Sequence, residues 1–169
     1  MESGKWKKAL MSFWVCLRIK RIILLFWSGQ ERFASRVLLK ELLGEEVRVD
    51  YHSTGAPFLA CVPLYISISH TKDYVAVILD ERPTGIDIEY RSDRILKIRS
   101  RFMNPEEEAG IDPGHEVEHL LIHWCAKETL FKIIGQEGVD FQKHLHVNPF
   151  PYLPSGTFTG NPDRGMPGI

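Results

Sequence analysis

Several features that would settle a compartment or a partner are scarce in this chain. It has three cysteines in 169 residues, Cys16, Cys61 and Cys125. That odd number, with no C-x-x-C spacing, excludes a disulfide framework and suits a reducing, cytoplasmic setting. The chain has no uncharged apolar run of the ~18 residues that a membrane span needs. Its most apolar stretch, "ALMSFWVCLRIKRIILLFW", is interrupted by Arg18, Lys20 and Arg21 and has no small-residue cleavage site. It reads as a buried strand or helix, with no membrane partner. Net charge is only −1, so bulk charge points to no nucleic acid. There is no tandem repeat. What remains, 44% hydrophobic and 25% charged residues, is ordinary for a soluble globular chain of one domain or two small halves sharing a core.

Periodicity supplies the elements. Phe33, Val37, Leu38 and Leu42 recur at helical spacing, with Gly44 as the stop. "EVRVDY" alternates as a strand and "STGAP" turns the chain. "LYISISH", "YVAVIL" and "GIDIEY" are three further strand-like runs joined by tight turns, predicting an antiparallel meander beside the first helix. A basic segment from Arg91 to Arg101, with Asp93 its single acid, follows as a charged loop. Asn104 and Pro105 suit the N-cap and first position of a short helix. The longest helix follows Asp112 and Pro113 and stops at Gly135. "VDFQKHLHV" reads as a strand, and the chain beyond about residue 148 as an irregular tail.

The long helix contains two competing chemistries. His115-Glu116-Val117-Glu118-His119 spells H-E-x-x-H, the pattern of zinc proteases. Pro113 and Gly114 place His115 in a fraying first turn, and His123 extends the spacing along one edge without converging on an ion. These histidines are expected to be solvated on the outer helix face. Further along, Val117, Leu121, Trp124 and Glu128 share one stripe at ~100° per residue. A carboxylate on an apolar stripe is costly unless it is paired or binds a metal. The bland alternative is an exposed salt bridge from Glu128 to Lys132, worth ~0.3–0.5 kcal/mol. In "GIDIE", period two puts Ile86 and Ile88 on one face and Asp87 and Glu89, about 7 Å apart, on the other. Gly85 allows another backbone or a ligand to come close. Three carboxylates form a hard oxygen site suited to Mg²⁺ or Mn²⁺.

"GIDIE" followed by "WCAKETLFK", with "SISHT" and "NPEEE" in the right order, resembles the 4′-phosphopantetheinyl transferases, and most closely the surfactin-synthetase-activating type. The resemblance implies an α+β fold of two similar halves, each a small antiparallel sheet packed against a long helix. The first would span residues 1–90 and the second 91–169. It implies Mg²⁺-dependent transfer of the phosphopantetheine arm of coenzyme A to a serine of an acidic carrier protein, releasing 3′,5′-ADP, by a cytoplasmic monomer. Carried over, Asp87, Glu89 and Glu128 hold Mg²⁺, with Mn²⁺ as a substitute, and Glu128 takes the serine proton. Lys127 and Lys132 contact phosphates. His70, with Ser69, meets the 3′-phosphate region, and Arg36 the nucleotide. The carrier docks near Arg91 to Arg101. Two departures stand out: Gly55-Ala56-Pro57 replaces a usual Gly-Lys-Pro, and both chain ends differ from the family. They lead to the expectation of a truncated copy with an incomplete second half. The alternative function is a remnant that binds coenzyme A or a carrier protein without turnover.

Overall fold

The structure, a computed structural model, describes residues 15–16, 21–26 and 31–163. The expectation for the apolar N-terminal stretch falls partly outside them; its described pieces are strands β1 (Val15–Cys16) and β2 (Arg21–Phe26). Helix α1 (Glu31–Leu43) follows, and Gly44 ends it at φ +78°, its N–H donating to the Lys40 carbonyl at 2.7 Å. Strands β3 (Val49–Tyr51) and β4 (Pro57–Leu59) form a hairpin whose loop carries Gly55 at φ +83°.

β5 (Tyr65–Thr71) and β6 (Tyr74–Asp80) form a second hairpin, with Asp73 at φ +63° in its two-residue turn. β6 is central in a three-stranded antiparallel sheet of order β2-β6-β5. Every residue of "YVAVILD" is buried because both faces of the strand are covered. Val75, Val77 and Leu79 pack with Ile66 and the α1 residues Ala34, Leu38 and Leu39. Tyr74, Ala76 and Ile78 pack on the other face with Ile86 and Ile88.

The predicted meander needs correction at its third strand. β7 (Ile86–Asp87) pairs antiparallel with β1, and the third strand of the main sheet is β2. Both edges of β6 are therefore occupied. The amides beside β7 find other acceptors: Ile86 N–H donates to Ser67 Oγ and Ile88 N–H to Ser69 Oγ, each at 3.2 Å. The alternation of "ISIS" (Ile66 to Ser69) thus serves two purposes, isoleucines toward the α1 core and hydroxyls toward β7.

The basic segment is helical, not a loop. It forms α2 (Arg94–Ile98) and a 3₁₀ turn (Arg99–Arg101), with Ile95, Phe102 and Met103 buried against the long helix. Helix α3 (Pro105–Ala109) begins with a complete capping box between Asn104 and Glu107. Helix α4 (Glu116–Ile134) ends at Gly135, φ +63°, whose N–H donates to the Phe131 carbonyl at 3.0 Å. α4 packs against β1, β7 and α2, and against β8 (Leu145–Val147) and β9 (Gly160–Pro162). β9 pairs antiparallel with β8, which corrects the expectation of a wholly irregular tail after 148. Gly160 is required there, since a Cβ would lie 2.8 Å from the His146 carbonyl oxygen. The architecture is mixed α+β, built from small antiparallel sheets and helices.

Candidate functional site

The site begins where β7 meets α4. A Cβ on Gly85 would stand 2.6 Å from the Thr129 carbonyl oxygen, so only glycine lets the strand lie this close to the helix. Ile86 and Ile88 anchor the segment in the core at 0% and 1% exposure. Asp87, between them, is buried. Its Oδ1 accepts from Ser69 Oγ at 2.9 Å and from Lys132 Nζ at 2.8 Å, and Lys132 also donates to the Ile86 carbonyl at 2.8 Å. Asp87 Oδ2 is buried without a hydrogen-bond partner. Glu89 is half-buried and accepts from the Trp124 indole N–H at 3.3 Å.

Glu128 is half-buried on α4. Burial, and then the charge of Asp87, push its carboxyl up to about 7; Glu89 adds to the rise and Lys132 opposes it. The Glu89 carboxyl is raised first by burial and second by Asp87. The three carboxylates therefore act on one another electrostatically, although β7 and α4 are far apart in sequence. Cys125, fully buried one turn before Glu128, has its thiol pushed up by burial and then by Asp87.

Beside this group lies a cleft of about 730 Å³ between the β3–β4 hairpin, β5 and the C-terminal end of α4. Gly55, Ala56 and Pro57 line one side, Ser67 and Thr84 the floor, and Phe131 and Lys132 the other side. Lys132 is the link: it lines the cleft and holds Asp87. Its partner is Asp87, not the Glu128 that i,i+4 spacing suggested.

Other expected residues lie elsewhere. Lys127 is fully buried, and its amine donates to the Phe102 carbonyl at 2.5 Å, to Glu107 Oε2 at 2.6 Å and to the Phe141 carbonyl at 2.9 Å. All three of its protons are used, so the expectation of a phosphate contact is corrected: Lys127 is an internal strut. Ser69 is buried and its hydroxyl serves Asp87 and the Ile88 amide, so it positions Asp87. His70 and Arg36 are exposed and do not line the cleft. Glu107 was missed as a partner of Lys127. It accepts from the amides of Asn104 and Val147 as well as from Lys127, and its N3 place in the capping box was the available signal.

The H-E-x-x-H histidines also need correction. His115 is exposed at the helix N-cap, but His119 and His123 are buried, at 1% and 2% exposure. Phe150 covers both, at ring centroid distances of 4.7 and 5.1 Å, and Tyr152 stacks on His115 at 4.3 Å. These rings are enclosed because α4 is buried on most of its circumference, not along a single apolar stripe. The Asp112 amide donates to His119 Nδ1 at 3.1 Å, which places the proton of the neutral ring on Nε2.

Among the described residues, no group of three acidic, histidine or cysteine side chains is arranged to hold a metal as it stands. The donor set nevertheless fits a hard divalent cation. Asp87, Glu89 and Glu128 offer only oxygen, Asp87 Oδ2 has no hydrogen-bond partner, and two of the carboxyls are raised by burial and then by the Asp87 charge, which such an ion would offset.

The fold and site define a small mixed α+β protein with carboxylates from a strand and a helix gathered beside a cleft. Residues 83–160, from the approach to β7 through the first residue of β9, match the profile of the 4′-phosphopantetheinyl transferase superfamily. The chain is 28% identical over 86 residues to a 4′-phosphopantetheinyl transferase of Bacillus subtilis, covering 48% of this chain and 38% of that protein. It is 29% identical over 97 residues to the transferase Sfp of Bacillus subtilis strain 168, covering 55% and 42%. A putative 4′-phosphopantetheinyl transferase of Haemophilus influenzae is 33% identical over 107 residues, covering 58% and 43%. Over residues 83–160 the chain is therefore similar to the 4′-phosphopantetheinyl transferase superfamily, and the relatives named here carry that name. The matches span less than half the length of these relatives.

Proposed function

We propose that this protein transfers the 4′-phosphopantetheine group of coenzyme A to a serine hydroxyl of an apo carrier protein. The observation that carries this reading is that Lys132, on the cleft wall, pairs with Asp87, whose charge acts on both Glu89 and Glu128. The serine oxygen forms a bond to the phosphorus bearing the pantetheine arm, the bond from that phosphorus to the bridging oxygen breaks, and 3′,5′-ADP leaves with the electron pair. Glu128, on α4 among these acids, takes the serine proton as the oxygen attacks. Lys132 donates to a pyrophosphate oxygen, and Ser69 and Gly85 keep Asp87 in place. Asp87, Glu89 and Glu128 would hold Mg²⁺, which supplies charge neutralisation on the pyrophosphate when bound. The reading includes the division into α+β halves over 1–90 and 91–169.

Carrier docking falls to the exposed Arg94, Lys97 and Arg101. Arg91 is paired with Glu118 and Arg99 with Glu108 and Glu116, so these two brace α4 instead. An acidic carrier would meet the remaining three cations. The test is transfer from coenzyme A to several apo carriers in the presence of Mg²⁺, read as the mass gain of the carrier. Binding of coenzyme A with no mass gain on any carrier would reject the transferase and leave a binding protein.

A further inference from the structure

We infer that Lys132 is a stand-in cation for the carboxylate site, and that divalent metal binding displaces its amine from Asp87 into the cleft, where it becomes available to a phosphate. The inference rests on the proposed metal and substrate. It concerns the order in which the site is filled.

Asp87 needs a counter-charge. A carboxylate at 5% exposure, with Glu89 and Glu128 acting on it, requires a nearby positive charge. Lys132 provides it, with Nζ 2.8 Å from Asp87 Oδ1 and 2.8 Å from the Ile86 carbonyl. The lysine side chain is 26% exposed and belongs to the cleft lining, so the amine has a route outward. The fully buried Lys127 has no such route. Asp87 Oδ2 is buried without a hydrogen-bond partner, an unsatisfied acceptor that an ion reaching the carboxylate would satisfy. A divalent cation beside Asp87 repels an ammonium group at hydrogen-bond distance from the same carboxylate. The four-carbon stem lets that ammonium swing away while its helix stays fixed. Metal binding and phosphate binding then reinforce each other through one side chain: the ion takes over Asp87, and the released amine meets the incoming pyrophosphate.

Amine labelling of the whole protein tests the exchange without any turnover. The metal-free protein is treated with formaldehyde and a borohydride reductant, with and without Mg²⁺, and methylation at Lys132 is quantified by mass spectrometry. Calorimetry records Mg²⁺ binding in parallel. The expected result is slow labelling of Lys132 without metal and a rise of about tenfold with it, the weight of one charge-assisted hydrogen bond released. Lys127 stays unlabelled in both. Mg²⁺ binding with unchanged Lys132 labelling overturns the exchange and leaves the metal site standing. Absence of Mg²⁺ binding overturns the metal reading and the exchange together. As a second measurement, Lys132→Met binds Mn²⁺ about tenfold more tightly than wild type, because the competitor is gone. Equal or weaker binding overturns the inference.

Discussion

Lys127 and Glu128 are neighbours in sequence and opposites in environment. The lysine faces a closed core with three acceptors, and the carboxylate faces β7 and the other acids. Lys127→Met leaves Glu107 charged and unpaired at 2% exposure, so it should cost about 3–5 kcal/mol in denaturant unfolding. Adding Glu107→Gln should recover part of that loss; a double variant no more stable than the single one would mean that Lys127 acts through packing alone. Asp87→Asn keeps the hydrogen bonds to Ser69 and Lys132 within reach but removes the charge. It should abolish Mg²⁺-dependent transfer while changing the melting temperature little, measured by carrier mass gain and a thermal scan. For Glu128, carbon-detected NMR of the metal-free protein should show a carboxyl titrating near 7 that moves downward on addition of Mg²⁺. No movement with saturating Mg²⁺ would place the ion elsewhere.

At the scale of elements, the seam between the 150–158 segment and α4 has a defined pH response. Burial holds His123 down to about 3 and depresses His119 as well, against 6.5 for an ordinary histidine. The unfolded chain therefore binds more protons than the folded one between about pH 3 and 6.5. Stability is fully present above pH 6.5 and falls as the pH drops through that window. For His123 the slope should approach 1.4 kcal/mol per pH unit, measured by denaturant midpoints at pH 7, 6 and 5. His123→Phe should flatten it. At the other seam, Gly85→Ala should separate β7 from α4 and lower stability by about 1–3 kcal/mol, read by melting. These two seams also mark what the sequence could reveal. Gly85, Asp87, Glu89 and Glu128 were legible because each breaks a local rule: a glycine in a strand, paired acids on one face, an acid on an apolar stripe. The burial of His119 and Lys127 was not legible. It depends on Phe150 and Phe141, which reach α4 only through tertiary packing, and no helical period records such partners. The strand order was hidden likewise, because β2 takes the edge of β6 that the meander assigned to β7.

At the scale of the whole molecule, charge should govern how the carrier arrives. If Arg94, Lys97 and Arg101 receive an acidic partner, Arg94→Glu with Lys97→Glu should slow carrier association and weaken its dependence on salt, with coenzyme A affinity unchanged. Stopped-flow mixing at two ionic strengths checks this; an unaltered association rate would move the docking face elsewhere. α4 meets β7 as well as β8, β9 and α2, and it supplies Glu128 and Lys132 to the site. It is a party wall, shared by two rooms and owned by neither. Emptying either room should shift the wall, so a partly opened form should not keep the site. Protease resistance, slow amide exchange in α4 and the proposed transfer should consequently vanish at a single threshold, and a chain that has lost the packing around Phe150 should have lost Glu128 with it.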